Sequence, residues 1–460
     1  MRRLDPSNQP LFARPISEWS ETIASPKCEI QASSSPGAAQ FSAPLEVLGR
    51  PVMVSLLLAV VTWVLLFIGI ARPGMMYYDE PYFVPEARAF LSGTPNPHPY
   101  VPSLARPPLG KMMIAIGMKI AGDTPVGWRT AGVACGALMV SAVYLWTYLL
   151  VGDPSLAFLA AGLTLFNNFL YVMSRIGMMD VFFMFFLMWS LVAYTASLVL
   201  DISAGHRRLL LIGSGVLIGL ATACKWNAVD TLAVFFLVSF ALRLARHRPA
   251  DWLLPFARYA RSTQEIGIPA LLLGLVLAPI LSYSLTYWPL CRFLHRPFGI
   301  HELVALNVFI WRFSTTVKGN PYITMAWYAW PLNLKPQRAL SYLVGNPVVA
   351  WGGLVALAIC LSRFWKKAEL AEGLVLLLFA SNFFQWAVTP EHRLFYYYYY
   401  PSFMILGVAM AVCLRRLPAR IFGVRIGVLL LVFAFAVFLR CYPQMAHLQS
   451  PWDCLFGCWV

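Results

Sequence analysis

Charge is scarce in this chain. Only 12% of its 460 residues are Asp, Glu, Lys or Arg, whereas 59% are hydrophobic. A soluble domain carries roughly 25% charged residues, so about half of the usual supply for a water-facing surface is missing. Acids are the scarcer sign, 20 against 35 basic residues, for a formal charge of +15. A nucleic-acid binder would gather that excess on one polar domain. Here the basic residues fall in short loops between apolar runs, the pattern that orients membrane helices. The nine cysteines include no CxxC pair, and most lie in or beside apolar runs, where cysteine behaves as a small hydrophobe. Cys441, Cys454 and Cys458 stand near the C-terminal end, where a disulfide is open to them if that tail lies outside the cell. The seven histidines lack metal-ligand spacing such as HExxH, so no metal site is expected. There is also no nucleotide-binding loop and no soluble segment large enough to hold one.

What is present is a series of apolar runs. A hydropathy window marks about eleven spans, near 52–71, 131–150, 156–173, 180–200, 209–224, 229–245, 266–286, 347–361, 369–388, 402–415 and 424–440. Residues 112–121 are apolar but too short to cross and suit the interface. With the N-terminus inside, the inner loops are 151–155, 201–208, 246–265, 362–368 and 416–423, and four of these five are rich in Arg and Lys. The C-terminus then lies outside. The expected fold class is an all-α polytopic membrane protein with two long outer loops. The expected organisation is a disordered cytoplasmic tail at 1–49, rich in Ser, Pro and Ala, a transmembrane domain at 50–441 and a short outer tail at 442–460. The outer loops, 72–130 and 287–346, are long enough to suggest function.

Basic residues on the expected outer side break the pattern: Arg106, Lys111, Arg129, Arg175, Lys225, Lys318, Lys335, Arg338 and Arg393. Ionisable groups at membrane depth cost about 2.5–3.5 kcal/mol unless they snorkel or pair. Taken singly, Arg175 with Asp180 and Lys225 with Asp230 read as local ion pairs. Together the cations suggest a bound anion, such as a lipid-linked phosphate. Asp79 and Glu80, in "GMMYYDEPYFVPEA", lie on the same side. Asp79 reads either as the cap of a helix from Glu80 to Leu91 or as a general base, and the two roles are compatible. Neighbours one apart on a helix diverge by about 100°, which excludes the facing carboxylate pair of a retaining glycosidase. One base and one positioning residue is the more natural division.

These motifs resemble those of the protein O-mannosyltransferases, and of their bacterial members in particular, which are membrane glycosyltransferases of the GT-C fold. The likeness runs from about Tyr77 to Pro401 through "YYDEPYFVPEA", "ARPPLGKMMIAIG", "GWR" at 127–129, "SRIGMMD" at 174–180, "GLATACKWNAV" at 219–229, "WYAWPLNLKP" at 327–336, "GNPVVAW" at 345–351 and "YYYYYP". The resemblance implies that Asp79 is the base toward the acceptor hydroxyl and that Glu80 helps to position the acceptor. It implies that Arg129 is the essential arginine opening the second span, with Arg106, Lys111, Arg175 and Lys225 at the donor phosphate. Tyr78, Tyr82, Trp327, Trp330 and Arg393 become candidates for sugar or prenyl contacts, although an interfacial aromatic belt is the plainer reading for most. The family's DVHPP is here Leu104-Ala105-Arg106-Pro107-Pro108, and 287–346 is too short for the inserted sugar-binding-like domain of eukaryotic members.

The expected activity is inverting transfer of a sugar, mannose by resemblance, from a polyprenyl-phosphate carrier to an acceptor hydroxyl such as protein Ser/Thr. It is expected at the outer face of a bacterial inner membrane, without cofactor or metal. Membrane lipid, the lipid-linked donor and an acceptor protein or glycan are the expected partners, and nucleic acid is not. A pentose, aminoarabinose or uronic acid passed to lipid or cell-wall glycan stays open, as does a transporter or flippase of lipid-linked sugars. A transporter calls for charges or broken helices at the midplane and an inverted repeat. No repeat is visible, and the unusual charges gather at one face.

Overall fold

The computed structural model describes residues 45–93, 105–245, 259–316, 324–332, 343, 345–389, 394–417, 420–421 and 424–448. The chain divides into two units, Met1–Gln40 and Phe41–Val460, and every described residue belongs to the second. Most of the expected N-terminal tail lies outside the described residues, as do Cys454, Cys458, Lys318, Lys335, Arg338 and Arg393. Cys441 is a free thiol.

Ten described helices are long and apolar enough to cross a membrane, or eleven if one bent pair forms a single span. The chain is an integral, multi-pass, helical membrane protein. The helices are α1 (Leu45–Phe67), α2 (Glu80–Ser92), α3 (Leu109–Ala121), α4 (Pro125–Val151), α5 (Pro154–Leu165), α6 (Asn168–Ser174), α7 (Met179–Val199), α8 (Ala204–Cys224) and α9 (Ala228–Ala245). They continue as α10 (Ala260–Ile266), α11 (Ile268–Phe293, with one π turn), α12 (Ile300–Thr316), α13 (Pro347–Lys366), α14 (Leu370–Val388), α15 (Tyr400–Leu414) and α16 (Ile426–Met445). Two-residue strands, Arg420–Ile421 and Val424–Arg425, pair antiparallel before α16. That last helix runs to Met445, so the expected boundary at 442 falls inside it.

Helices apolar all round suit both the centre of the bundle and its lipid-facing edge, so burial separates the two places. α4, α7 and α15 are buried for most of their length and form the centre, around Tyr144, Trp146, Phe182 and Tyr194. α1 and α16 present Leu57, Val60, Val432 and Phe433 outward, to lipid. α8 meets α11 through a GxxxG pair. A Cβ on Gly215 would stand 1.7 Å from the Gly274 carbonyl oxygen, and one on Gly219 would stand 2.4 Å from that of Pro279. Only glycine lets these backbones approach so closely.

The expected span at 156–173 is broken. α5 and α6 meet at 58°, and the break frees backbone groups inside the protein. Asn167 caps α6 by accepting from the Phe169 N–H at 3.0 Å. The Asn346 amide donates to the Phe166 carbonyl at 2.9 Å and to that of Ala434 at 2.9 Å. Its own oxygen caps α13 through the Val348 N–H at 3.1 Å. One asparagine in "GNPVVAW" thus ties the broken span to α13 and α16, as freed backbone at membrane depth requires. Asn346→Ala removes a cap worth about 1 kcal/mol and strands carbonyls at about 1–3 kcal/mol each. A clear drop in melting temperature of the purified protein is expected; an unchanged melt would remove this role from Asn346.

Candidate functional site

The segment between α1 and α4 is held by one buried ion pair. Arg129 lies in the second turn of α4, just after Gly127, where a Cβ would stand 1.8 Å from the Gly122 carbonyl oxygen. Trp128 donates its indole N–H to Asp123 at 2.7 Å. Nε of Arg129 donates to Glu80 Oε1 at 2.7 Å and Nη2 donates to Oε2 at 2.9 Å, with both side chains 0% exposed. Nη1 donates to the carbonyls of Ile70 and Pro73 at 2.9 Å each, and Nη2 to that of Met75 at 3.2 Å. A guanidinium has five N–H donors, and these bonds engage them all. Glu80 also accepts from the backbone N–H of Gly177 at 2.8 Å and of Tyr77 at 3.2 Å.

Two further expected phosphate ligands are likewise committed to the protein. Arg175 closes the end of α1, donating to the carbonyls of Leu66 (2.5 Å), Ile68 (2.6 Å) and Gly69 (2.8 Å), where the helix leaves acceptors without partners. Lys111 lies buried on α3, 2.9 Å from Glu86 Oε2 of α2, and donates to the Arg106 carbonyl at 3.3 Å. Burial pushes the Glu86 carboxyl up, and Lys111 opposes that shift. Glu80, expected to position the acceptor, and Arg129, Arg175 and Lys111, expected at the donor phosphate, are each bonded to groups of the protein and brace the segments around Asp79.

Asp79 is different. It occupies the N-cap position of α2 but makes no side-chain cap bond, so the capping alternative does not hold. Its carboxylate is half-buried and accepts from the Tyr397 hydroxyl at 3.2 Å. Burial, with Asp180 nearby, raises its pKa, while Arg106, the Tyr397 bond and Lys225 lower it. Lys225 donates to Asp180 at 2.8 Å and stands 3.8 Å from the Tyr398 ring centroid. Arg106 donates to the Tyr398 hydroxyl at 3.2 Å. The local pairs read from the sequence are thus replaced: Lys225 joins Asp180 rather than Asp230, and Arg175 binds carbonyls rather than Asp180. The five-tyrosine run explains the change. Tyr396–Tyr399 form a 3₁₀ turn against the head of α15, so consecutive rings point to different neighbours.

Arg106 and Lys225 open onto a cavity of about 150 Å³. Its wall includes Trp226, Asn227, Gln385 and Trp386, with Ser314 and Thr315 contributed by α12. Asn227 donates to Gln385 at 2.6 Å, and Trp226 donates to Tyr283 at 3.0 Å. Asn227 and Gln385 were not singled out from the sequence, whereas Asp180 stood there only as a local partner for Arg175 and Tyr397 only as one ring of the tyrosine run. Asp180 was visible in "SRIGMMD" and Asn227 in "ACKWNAV", but their partners are 45 and 158 residues away.

The aromatic candidates divide. Trp330 is fully buried against Trp386 and Tyr399, behind the cavity wall. Trp327 packs edge-on to Phe383. Tyr78 is half-buried with φ +54°, and Tyr82 is exposed. His447, just beyond α16, lies edge-on to Tyr77 at 4.9 Å, and Tyr77 in turn covers the Arg129 guanidinium at 5.1 Å. Burial, then Arg129 and Arg175, hold the His447 pKa down at about 4.

The family described as dolichyl-phosphate-mannose-protein mannosyltransferase matches residues 105–257. The polyprenol-phosphate-mannose–protein mannosyltransferase of Corynebacterium glutamicum is 25% identical over 398 residues, covering 71% of this chain and 74% of that protein. The enzyme of the same name from Mycobacterium tuberculosis is 23% identical over 419 residues, covering 77% and 78%. Among solved structures, ArnT from Cupriavidus metallidurans bound to undecaprenyl phosphate superposes with a TM-score of 0.56 at 15% identity, covering 86% of this chain and 70% of that one. The Archaeoglobus fulgidus oligosaccharyltransferase with a tethered acceptor peptide gives 0.51 at 14% identity, covering 84% and 55%. The GT-C fold and the likeness to the protein O-mannosyltransferases, both read from the motifs, are borne out.

Removing one member of a buried, fully hydrogen-bonded ion pair costs about 3–5 kcal/mol. Arg129→Met and Glu80→Leu are each expected to lower the melting temperature sharply. Arg129→Lys is expected to rescue little, since an ammonium cannot reproduce the fork; a fully stable Arg129→Lys protein would overturn the bracing role. His447 has a folded pKa below its ordinary 6.5. Its contribution to stability is therefore complete above pH 6.5 and is lost as the pH falls toward about 4. His447→Gln is expected to flatten that part of the stability–pH curve, and an unaltered curve would refute the assignment.

Proposed function

We propose that this chain is an inverting glycosyltransferase moving mannose from a polyprenyl phosphate to an acceptor hydroxyl, most simply a protein Ser or Thr, at the outer face of a bacterial inner membrane. The observation that carries the reading is the convergence of Asp79 with Arg106, Lys225 and Tyr397 beside a tryptophan-lined cavity. The acceptor oxygen attacks the anomeric carbon as the bond to the phosphate oxygen breaks. The acceptor proton passes to Asp79, and the lipid phosphate leaves with the electron pair. Arg106 and Lys225 stabilise the charge growing on that phosphate. A phosphate needs no acid to leave, so the step as written uses no cofactor. Glu80, Arg129, Arg175 and Lys111 act at one remove, as the frame that fixes Asp79.

The cavity chemistry also bears on the sugar. Indoles, an amide pair and hydroxyls suit a neutral hexose, and the described wall carries no carboxylate to meet the ammonium of an aminoarabinose. A flippase or transporter is less well served, since the cluster sits where α2, α7 and α15 begin and α8 ends, all at one end of the spans.

Asp79→Asn is expected to reduce transfer by about 10²-fold or more while leaving expression and melting intact. The assay supplies a panel of radiolabelled polyprenyl-phosphate sugars with peptide and glycolipid acceptors. Full activity in Asp79→Asn, or transfer only from a pentose or amino-sugar donor, would sink the corresponding part of the proposal. A base must be unprotonated, so kcat/KM is expected to rise with pH through a value above the usual carboxylate range. Tyr397→Phe removes a bond to the charged form and is expected to move that limb higher still. A limb unmoved by Tyr397→Phe would separate Asp79 from the rate.

A further inference from the structure

A second concavity lies away from the catalytic cluster, at the opposite end of α2. Asp79 precedes the first residue of that helix, whereas Phe90, Leu91 and Gly93 at its last turn border a groove of about 440 Å³. Asp79 and Phe90 stand at opposite ends of this helix, roughly 16 Å apart at 1.5 Å per residue. No residue is shared between the walls of this groove and those of the catalytic cavity.

The groove is built from two kinds of side chain. Its floor is apolar: Phe90 of α2 meets Phe293 of α11 at 4.9 Å between centroids, and Met112, Ala115 and Ile116 of α3 form one side. Its rim is basic. Lys119 comes from the last turn of α3, Arg292 from the last turn of α11, and His295 from the turn just beyond it. No carboxylate is among the lining residues. The nearby acids are already taken, Asp123 by Arg88 and Trp128, and Glu302 by Arg296.

Depth decides what such a groove can hold. Arg292 stands at the end of a 26-residue apolar helix, long enough to reach from one interface to the other. α3 is too short to cross and leaves Ile116 and Ile120 49% and 74% exposed, so it lies along the interface with its lysine at headgroup level. An apolar trough below headgroup depth and three basic groups above it match one molecule in both parts. A soluble anion would leave the trough wet, and a lipid of no net charge would leave the charge of Lys119 and of Arg292, which lies 5.9 Å over the Trp288 ring, unbalanced.

We propose that this groove between α2, α3 and the end of α11 is a binding site for an anionic phospholipid of the surrounding bilayer. One acyl chain lies over Phe90 and Phe293, and the headgroup phosphate meets Lys119, Arg292 and His295. Basic pockets between membrane helices hold lipid headgroups by this chemistry. The inference rests on the membrane topology and not on the reaction assigned to Asp79.

The test is native mass spectrometry of the full-length protein in detergent, titrated with phosphatidylglycerol and with phosphatidylcholine of the same acyl chains. One phosphatidylglycerol is expected to be retained at least tenfold more strongly than phosphatidylcholine. Lys119→Gln/Arg292→Gln is expected to abolish that preference, and Ile116→Trp, which fills the trough without changing charge, is expected to expel both lipids. Equal retention of the two lipids, or retention untouched by both variants, would overturn the site. Displacement of phosphatidylglycerol by stoichiometric polyprenyl phosphate would assign the groove to the carrier instead. Should either variant fail to fold, a photoactivatable phosphatidylglycerol on the wild-type protein decides. Labelling within 112–119 or 289–295 supports the proposal, and labelling confined to other segments refutes it.

Discussion

The Glu80–Arg129 pair sits fully inside the protein, where two charges survive only if nearly every donor and acceptor between them is met. Desolvation of each ion costs several kcal/mol, and attraction alone does not reliably repay it. Here the surplus bonds supply the difference. Arg129 gathers the carbonyls of Ile70, Pro73 and Met75, and Glu80 gathers the N–H groups of Tyr77 and Gly177. One contact therefore fixes the loop after α1, the start of α2, the start of α4 and the turn before α7. Asp79, one residue before Glu80, is left facing elsewhere because successive positions at a helix start diverge by about 100°. The acid that braces and the acid we propose as the base are neighbours in sequence for this reason.

The reacting side is electrostatically balanced rather than simply basic. Two carboxylates, Asp79 and Asp180, share the neighbourhood with two cations, Arg106 and Lys225. Lys225 is bonded to Asp180 and lies over the Tyr398 ring, so its ammonium is oriented before any ligand arrives. The raised pKa of Asp79 follows from burial beside a second acid, and the Tyr397 hydroxyl limits the rise. A base with such a pKa is poised closer to neutrality than an exposed aspartate, which is what proton removal from a hydroxyl requires.

Much of this was legible from the residues, with roles exchanged. The motifs marked the right places: "GWR", "SRIGMMD" and "ACKWNAV" each supply a residue that braces or lines the site. Charge type alone could not say which cations face ligand. Arg129 and Arg175 have the chemistry of phosphate binders, yet their donors end on carbonyls more than fifty residues away in sequence. Lys225 was paired with Asp230 because that acid is near in sequence, whereas the fold brings Asp180 closer. Likewise the tyrosine run reads as an interfacial belt until a 3₁₀ turn sends one hydroxyl to Asp79 and its neighbour to Arg106.

Hydropathy by itself determined the class and the approximate places of the spans, because the cost of burying backbone and charge in lipid is local and summed along the chain. Motif order by itself pointed to the fold and to Asp79. Tertiary structure alone decided that the span at 156–173 is broken and stitched by Asn346, that Glu80 and Arg129 form the frame, and that Arg106, Lys225, Asp180 and Tyr397 surround Asp79. Those outcomes depend on hydrogen bonds and ion pairs between distant segments, whose energies are set by distance and direction in space, and periodicity along a chain carries neither.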